Sequence, residues 1–158
     1  MKLINIIKLI ISIIICQLAG VIGSIFTVNT IATWYETLNK PFFNPPGFIF
    51  GPVWIILYFL IGISLYSVWS KKINTKTKKL AIIIFFIQLI LNAMWSIIFF
   101  GLKSPFFAFI EIIFLWIFIF LTMFYFNKIS KIATYLLIPY LLWVSFALIL
   151  NFSIYLLN

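Results

Sequence analysis

No histidine occurs anywhere in the 158 residues, cysteine occurs once, and the only carboxylates are Glu36 and Glu111. The first absence removes imidazole both as a metal ligand and as a general base. The single Cys16 rules out an internal disulfide and says nothing of redox compartment. Two isolated carboxylates offer no acid pair for hydrolysis and no cluster to hold a metal, so neither a metal site nor a cofactor is expected. Long polar stretches are lacking too. No run of 50 or more polar residues is left for a soluble domain, a catalytic module or a nucleic-acid reader, so function must reside within the hydrophobic part or its loops.

What is present is mostly apolar: 66% of residues are hydrophobic and 8% charged, with a mean hydropathy of +1.28. No water-soluble core could hide that much apolar surface. Runs long enough to cross a ~30 Å hydrocarbon layer occur near 4–27, 50–70, 80–101, 105–126 and 132–156. The expectation is an all-α integral membrane protein, a single five-span domain spread over residues 1–158. A cleaved signal peptide competes for the start, but the apolar run continues through Ile25 and Phe26, too long for a typical signal core.

The net charge of +9 resides on eleven lysines at the ends of these runs, which speaks for topology and against nucleic acid. Lys2, Lys8, Lys71, Lys72, Lys76, Lys78, Lys79, Lys128 and Lys131 fall on one side, against Lys40 and Lys103 on the other. The positive-inside rule then makes the N-terminus and the 71–79 loop cytoplasmic, with the C-terminus and the 28–49 loop opposite. The lysine-rich loop is equally compatible with contact to anionic membrane lipid.

Local signals refine the spans. Pro52 falls in the first turn of the second, and Ser104-Pro105 supplies a cap and first helical residue for the fourth. Ala19 with Gly23, and Gly20 with Ser24, have the small-xxx-small spacing of close helix packing. Pro139 removes a backbone bond and crowds the Tyr135 carbonyl, so the fifth span should kink there. Cys16 is expected to be a buried apolar residue.

At 1.5 Å per residue the unusual side chains fall at similar depths below the loop end: Trp54 and Tyr58 at ~6–12 Å, Trp95, Asn92 and Gln88 at ~9–20 Å, Glu111 at ~9 Å, and Asn151, Ala147 and Trp143 at ~7–19 Å. Amides and a carboxyl should not face lipid, so an aromatic-walled pocket in that half of the bundle is plausible. The loop above it is longer than most connections, stiffened by Pro41, Pro45 and Pro46, and carries Trp34, Tyr35, Phe42, Phe43 and Phe48 as an apolar underside. Lid and interfacial aromatic belt are both open readings of that segment.

The segment "WYETLNKPFFNPPGFIFGPVWIILYFLIGISLYSVW", with "QLILNAMWSIIFFG" at 88–101 and "PYLLWVSFALILN" at 139–151, resembles the signature of the translocator protein family, also called tryptophan-rich sensory proteins or peripheral benzodiazepine receptors. The resemblance covers the whole five-span chain. It implies a five-transmembrane-helix bundle whose long first loop acts as a lid, and a membrane receptor or sensor for tetrapyrroles such as protoporphyrin IX and haem and for benzodiazepine and isoquinoline ligands. Trp34, Tyr35, Trp54, Asn92, Trp95, Trp143, Ala147 and Asn151 match the family's pocket positions, and Tyr58, Gln88 and Glu111 join them as ligand-binding candidates on depth. Some bacterial members degrade protoporphyrin IX in light, which would make Trp54 and Trp143 the catalytic pair.

Departures from the pattern bear on partners. The sterol motif of the animal proteins ends in a basic residue, whereas Tyr155 is followed by Leu156, Leu157 and Asn158. The family's dimer seam of small residues on the third span is reduced to Ala81 and Ala93, which does not support a homodimer through that face. Transport of porphyrin or lipid-like molecules rests on Glu111 alone, since intramembrane carboxylates often mark substrate paths.

Overall fold

In the computed structural model, which describes residues 2–73 and 75–158, every regular element is helical. Asn74, inside the lysine-rich connection, and the side chain of Lys2 lie outside the described part. The elements are α1 (Lys2–Ile31), a single turn α2 (Trp34–Thr37), α3 (Gly47–Trp69), α4 (Lys76–Ser96) continued by a π-helical turn (Ile97–Gly101), α5 (Pro105–Asn127), α6 (Lys131–Leu136) and α7 (Ile138–Leu157). They make five spans, Leu3–Ile31, Gly47–Trp69, Lys76–Gly101, Pro105–Asn127 and Lys131–Leu157, each long and apolar enough to cross a membrane. The chain is a multi-pass integral membrane protein. Each helix runs past the expected apolar run by one to several residues at one end or both, and the second, Gly47–Trp69, starts three residues earlier and stops one earlier than the expected 50–70.

Helix ends follow from local chemistry. Ser104 Oγ accepts from the Phe107 amide at 3.4 Å ahead of Pro105, Thr75 Oγ1 accepts from the Lys78 amide at 3.2 Å, and Ser130 Oγ accepts from the Ala133 amide at 3.4 Å. The fifth span is interrupted at Leu137, where the amide closes a tight turn onto the Thr134 carbonyl at 3.0 Å. Pro139 explains the break, since it cannot donate to Tyr135. Between α4 and α5 the chain reverses through Lys103, whose φ of 52° is the only left-handed non-glycine backbone among the described residues.

Around the bundle α1 packs on α3 and α4, α4 on α5, α5 on α7, and α3 on α6. The core at the lysine-rich end is solid. Ile61, Val68, Ala81, Phe85, Phe126 and Ala133 are fully buried, and the rings of Phe85 and Phe126 stack at 5.6 Å and 9°. Gly62 sits so close to α1 that a Cβ there would lie 2.7 Å from the Cα of Ile13. Cys16 is fully buried, as its apolar surroundings suggested.

The connection between α1 and α3 folds back on the bundle. Tyr35 is buried against Phe50, Phe99 and Phe100, its hydroxyl donates to Asn44 Oδ1 at 2.5 Å, and Lys40 Nζ donates to its carbonyl at 2.8 Å. Burial, opposed by the Asn44 hydrogen bond and aided by Glu36, pushes the phenol up to about 12, so it remains a neutral donor. Trp34 packs edge-on against Phe99 at 5.7 Å, and Phe43 against Phe146 at 6.3 Å. The expected underside is narrower than five aromatics: Phe42 is fully exposed and Phe48 is 79% exposed. Tyr35, Trp34 and Phe43 cover the apolar surface beneath the turn, while Phe42 stands clear of it and Phe48 only borders the bundle at its open edge. Asn39 and Asn158 clasp the loop to the end of α7, the Asn39 amide donating to Asn158 Oδ1 at 2.9 Å and Asn158 Nδ2 to the Asn39 carbonyl at 3.0 Å.

Candidate functional site

A cavity of about 450 Å³ lies beneath this loop. Four helical walls and one residue of the short turn α2 build it. The loop-side half of α3 contributes Phe50, Trp54 and Tyr58, spaced by one helical turn so that they share a face. From α4 and its π turn come Trp95, Phe99 and Phe100, and α7 presents Trp143, Ala147 and Asn151, again at a spacing of four. Tyr35 reaches in from α2.

The fourth wall is the loop-side half of α1, with Gln17, Gly20, Val21, Ser24, Thr27, Val28 and Ile31. The small residues of this helix do pack closely. A Cβ on Gly20 would meet the Tyr58 ring at 2.5 Å, and one on Gly23 would meet Ser96 Oγ at 3.0 Å. Gly20 thereby serves packing and cavity at once, which a spacing argument could not separate. Gln17, absent from the sequence candidates, donates from Nε2 to the Ile55 carbonyl at 3.0 Å and fixes α1 to α3 at the cavity's inner end. Beyond that latch, Val21, Ser24, Val28, Phe48, Gly51 and Ile55 combine cavity lining with exposed surface, so the cavity reaches the outside of the bundle between α1 and α3.

The aromatic side chains are held in fixed attitudes. Trp54 lies 5.5 Å from Tyr58 at 31°, Trp95 stacks on Phe99 at 5.1 Å and 21°, and Trp143 meets Phe50 edge-on at 6.2 Å. The π turn accounts for the second of these. Its wider winding, closed by the Leu102 amide on the Ile97 carbonyl at 2.8 Å, rotates Phe99 and Phe100 inward at the end of α4. Trp95 Nε1 donates to Asn151 Oδ1 at 3.0 Å, and Asn151 Nδ2 donates to the Pro105 carbonyl at 2.8 Å. One amide thus orients an indole and ties α7 to the start of α5.

Of the eleven residues proposed from sequence, Tyr35, Trp54, Tyr58, Trp95, Trp143, Ala147 and Asn151 line the cavity, while Trp34, Gln88, Asn92 and Glu111 do not. Trp34 stands behind Phe99. Asn92 and Gln88 lie deeper, in a buried chain of polar groups: Tyr58 donates to Asn92 Oδ1, Asn92 Nδ2 donates to the Tyr140 hydroxyl at 2.7 Å, and Tyr140 donates to Gln88 Oε1 at 2.9 Å. Only Gln88 Nε2 at its far end lacks a protein partner. Tyr140 is fully buried and joins α7 to α4 through this chain. Glu111 is buried on the inward stripe of α5 with Ala108, Ile112 and Leu115, and neither carboxyl oxygen has a protein hydrogen-bond partner.

The cavity can therefore hold a flat, largely apolar guest between indoles, with hydroxyls and amides at its edges. Among the described residues no cluster of side chains could bind a metal ion, and Cys16 is not part of the lining.

Comparison with known proteins relates the whole chain to one family. The sequence model of the TspO/MBR family matches residues 12–157. The chain is 49% identical over 154 residues to the Tryptophan-rich protein TspO of Archaeoglobus fulgidus, covering 98% of this chain and 99% of that one. Against the Tryptophan-rich protein TspO of Chlorobaculum tepidum it is 45% identical over 144 residues, 91% of each chain. The Translocator protein of Homo sapiens is 33% identical over 136 residues, covering 85% of this chain and 80% of that one.

Proposed function

The chain belongs to the TspO/MBR family, and from that premise we propose that it is a membrane receptor or sensor that binds a tetrapyrrole such as protoporphyrin IX or haem, and planar ligands of the benzodiazepine or isoquinoline type, in the cavity beneath the α1–α3 loop. The observation that carries this reading is the convergence of Trp54, Trp95 and Trp143 from three different helices on one cavity. A planar macrocycle gains most from such a site because indole faces stack on it, and the volume falls in the ~300–1,000 Å³ range of small-molecule pockets. The loop acts as the lid, with Tyr35 as its inward anchor and the Asn39–Asn158 clasp as its fastening.

With no histidine in the sequence, haem would be held by stacking and shape and not through imidazole. Gln88, Asn92 and Tyr140 position Tyr58 from behind and do not touch the guest. Trp34 acts in the same indirect way on Phe99.

The test is quenching of tryptophan fluorescence by protoporphyrin in purified protein. Trp54→Phe and Trp143→Phe should each weaken binding by up to about tenfold, since an aromatic pairing is worth ~0.5–1.5 kcal/mol. Unchanged affinity in both variants would overturn the assignment. A second reading, light- and oxygen-dependent breakdown of protoporphyrin, is favoured by Trp54 and Trp143 both facing the same cavity. It predicts that the Soret band of bound porphyrin bleaches faster than free porphyrin under oxygen, not under argon, and that Trp143→Phe abolishes the difference.

A further inference from the structure

At the end of the bundle away from the cavity, five lysines from three segments meet around one depression. Lys8 comes from α1, Lys71 and Lys72 from the α3–α4 connection, and Lys78 and Lys79 from the first turn of α4, with Trp69, Ser70, Ile73 and Ile82 completing the lining. A topology signal requires only that lysines be numerous at one side of the membrane; it asks nothing of their arrangement. Here two of them are fixed in place. Lys78 Nζ donates to the Trp69 carbonyl at 3.0 Å and also to the Lys71 carbonyl, tying the start of α4 to the end of α3. Lys8 Nζ lies 5.6 Å from the centroid of the Trp69 ring, a cation–π contact.

No acidic side chain balances this group. The sequence contains two carboxylates: Glu36 is 3.7 Å from Lys40 at the loop end, and Glu111 is buried in the bundle on α5. The like charges of this group are uncompensated by the protein, and because Lys71, Lys72 and Lys79 are exposed they are open to an anion from the surroundings. Any anion that neutralises the group comes from outside the chain.

From these observations we propose that the depression is a binding site for the phosphate headgroup of an anionic phospholipid. Its position at the ends of α1, α3 and α4 puts the ammonium groups at headgroup depth. Trp69, Ile73 and Ile82 supply apolar surface for the glycerol backbone and the first acyl carbons, which free phosphate would leave unused. Lys8 and Lys71 are the principal phosphate donors, and Lys78 shapes the floor while keeping one N–H free.

The experiment is native mass spectrometry of delipidated protein titrated with phosphatidylglycerol or with phosphatidylcholine, comparing Lys8→Gln/Lys71→Gln with Lys128→Gln/Lys131→Gln. The second pair removes the same charge from the same end of the bundle but lies outside the depression. We expect the wild-type protein to retain phosphatidylglycerol over phosphatidylcholine. Lys8→Gln/Lys71→Gln should weaken that retention by about thirtyfold, Lys8→Arg/Lys71→Arg should restore it, and Lys128→Gln/Lys131→Gln should change it less than twofold. Equal losses in the two Gln pairs would show a general charge effect and overturn the site, as would equal retention of the two lipids. Displacement of the lipid by millimolar inorganic phosphate or glycerol phosphate would assign the depression to a free anion and overturn the lipid reading. Should the double variant unfold, Lys8→Gln alone carries the comparison with an expected loss of about fivefold.

Discussion

At the lysine-rich end of the bundle, the α1 and α3 backbones come together at Gly62 and Ile13, and Cys16, Ile61, Leu65 and Val68 of these helices are buried. At the loop end, on the far side of the Gln17–Ile55 latch, the same two helices wall a cavity together with α4, its π turn and α7. The residues explain the contrast. The solid end is filled by Ile, Leu, Val, Ala and the stacked pair Phe85 and Phe126, whose shapes interdigitate. The hollow end is walled by rigid indoles and phenyl rings that are braced against one another, so they hold a space open instead of collapsing into it. Between the two regions runs the Tyr58–Asn92–Tyr140–Gln88 chain, which satisfies most of its polar atoms without water.

The sharpest way to break the comparison is to place the same bulk in each region. Gly62→Leu drives a side chain into the Ile13 backbone and should lower the unfolding midpoint in detergent by the equivalent of about 3 kcal/mol or abolish folding. Gly51→Leu meets open space, with nothing within 4 Å of its Cβ, and should leave stability unchanged while slowing porphyrin binding. Equal destabilisation by the two would show the hollow end to be as tightly packed as the solid one.

A smaller effect is expected at the boundary. Tyr140→Phe removes the hydroxyl that accepts from Asn92 and donates to Gln88, leaving two buried amides short of a partner. The expected cost is about 2 kcal/mol in thermal or denaturant unfolding, with porphyrin affinity reduced through loss of support for Tyr58. No change in either quantity would mean that the chain does not separate the two regions.

The smallest effect belongs to Glu111→Gln. Because the carboxyl makes no hydrogen bond within the protein, an amide of the same shape should change stability by less than about 1 kcal/mol. Porphyrin affinity should also be unaffected, since Glu111 lies outside the cavity lining. Loss of substrate flux in proteoliposomes on this substitution would instead revive a transport role for the carboxyl.

Much of the hollow region is legible along the chain. Trp54 with Tyr58, and Trp143 with Ala147 and Asn151, share helix faces by their spacing, and counting 1.5 Å per residue brings them to one depth. The fifth-span break is written in Pro139, and the start of α5 in Ser104-Pro105. Other features left no local signal. Nothing in "SIIFFG" distinguishes a π turn from an α-helical one, yet that turn aims Phe99 and Phe100 inward. Phe42 and Phe43 are chemically the same, and only what already covers the bundle decides which faces out. Gln88 and Asn92 share an inward stripe with Trp95 by their spacing, but spacing does not tell whether an amide meets a cavity or another side chain.

Composition and spacing by themselves determined that this chain spans a membrane five times as helices, because hydrocarbon tolerates no unpaired backbone and the apolar runs are of spanning length. They also determined which residues could not be left facing lipid. Only the tertiary structure decided where the bundle is solid and where it is hollow, and that α1, with Gln17 and Gly20, forms a wall of the cavity. The reason is physical: close packing depends on which side chains from distant parts of the chain meet and how their shapes fit, and that information exists only once the helices are side by side.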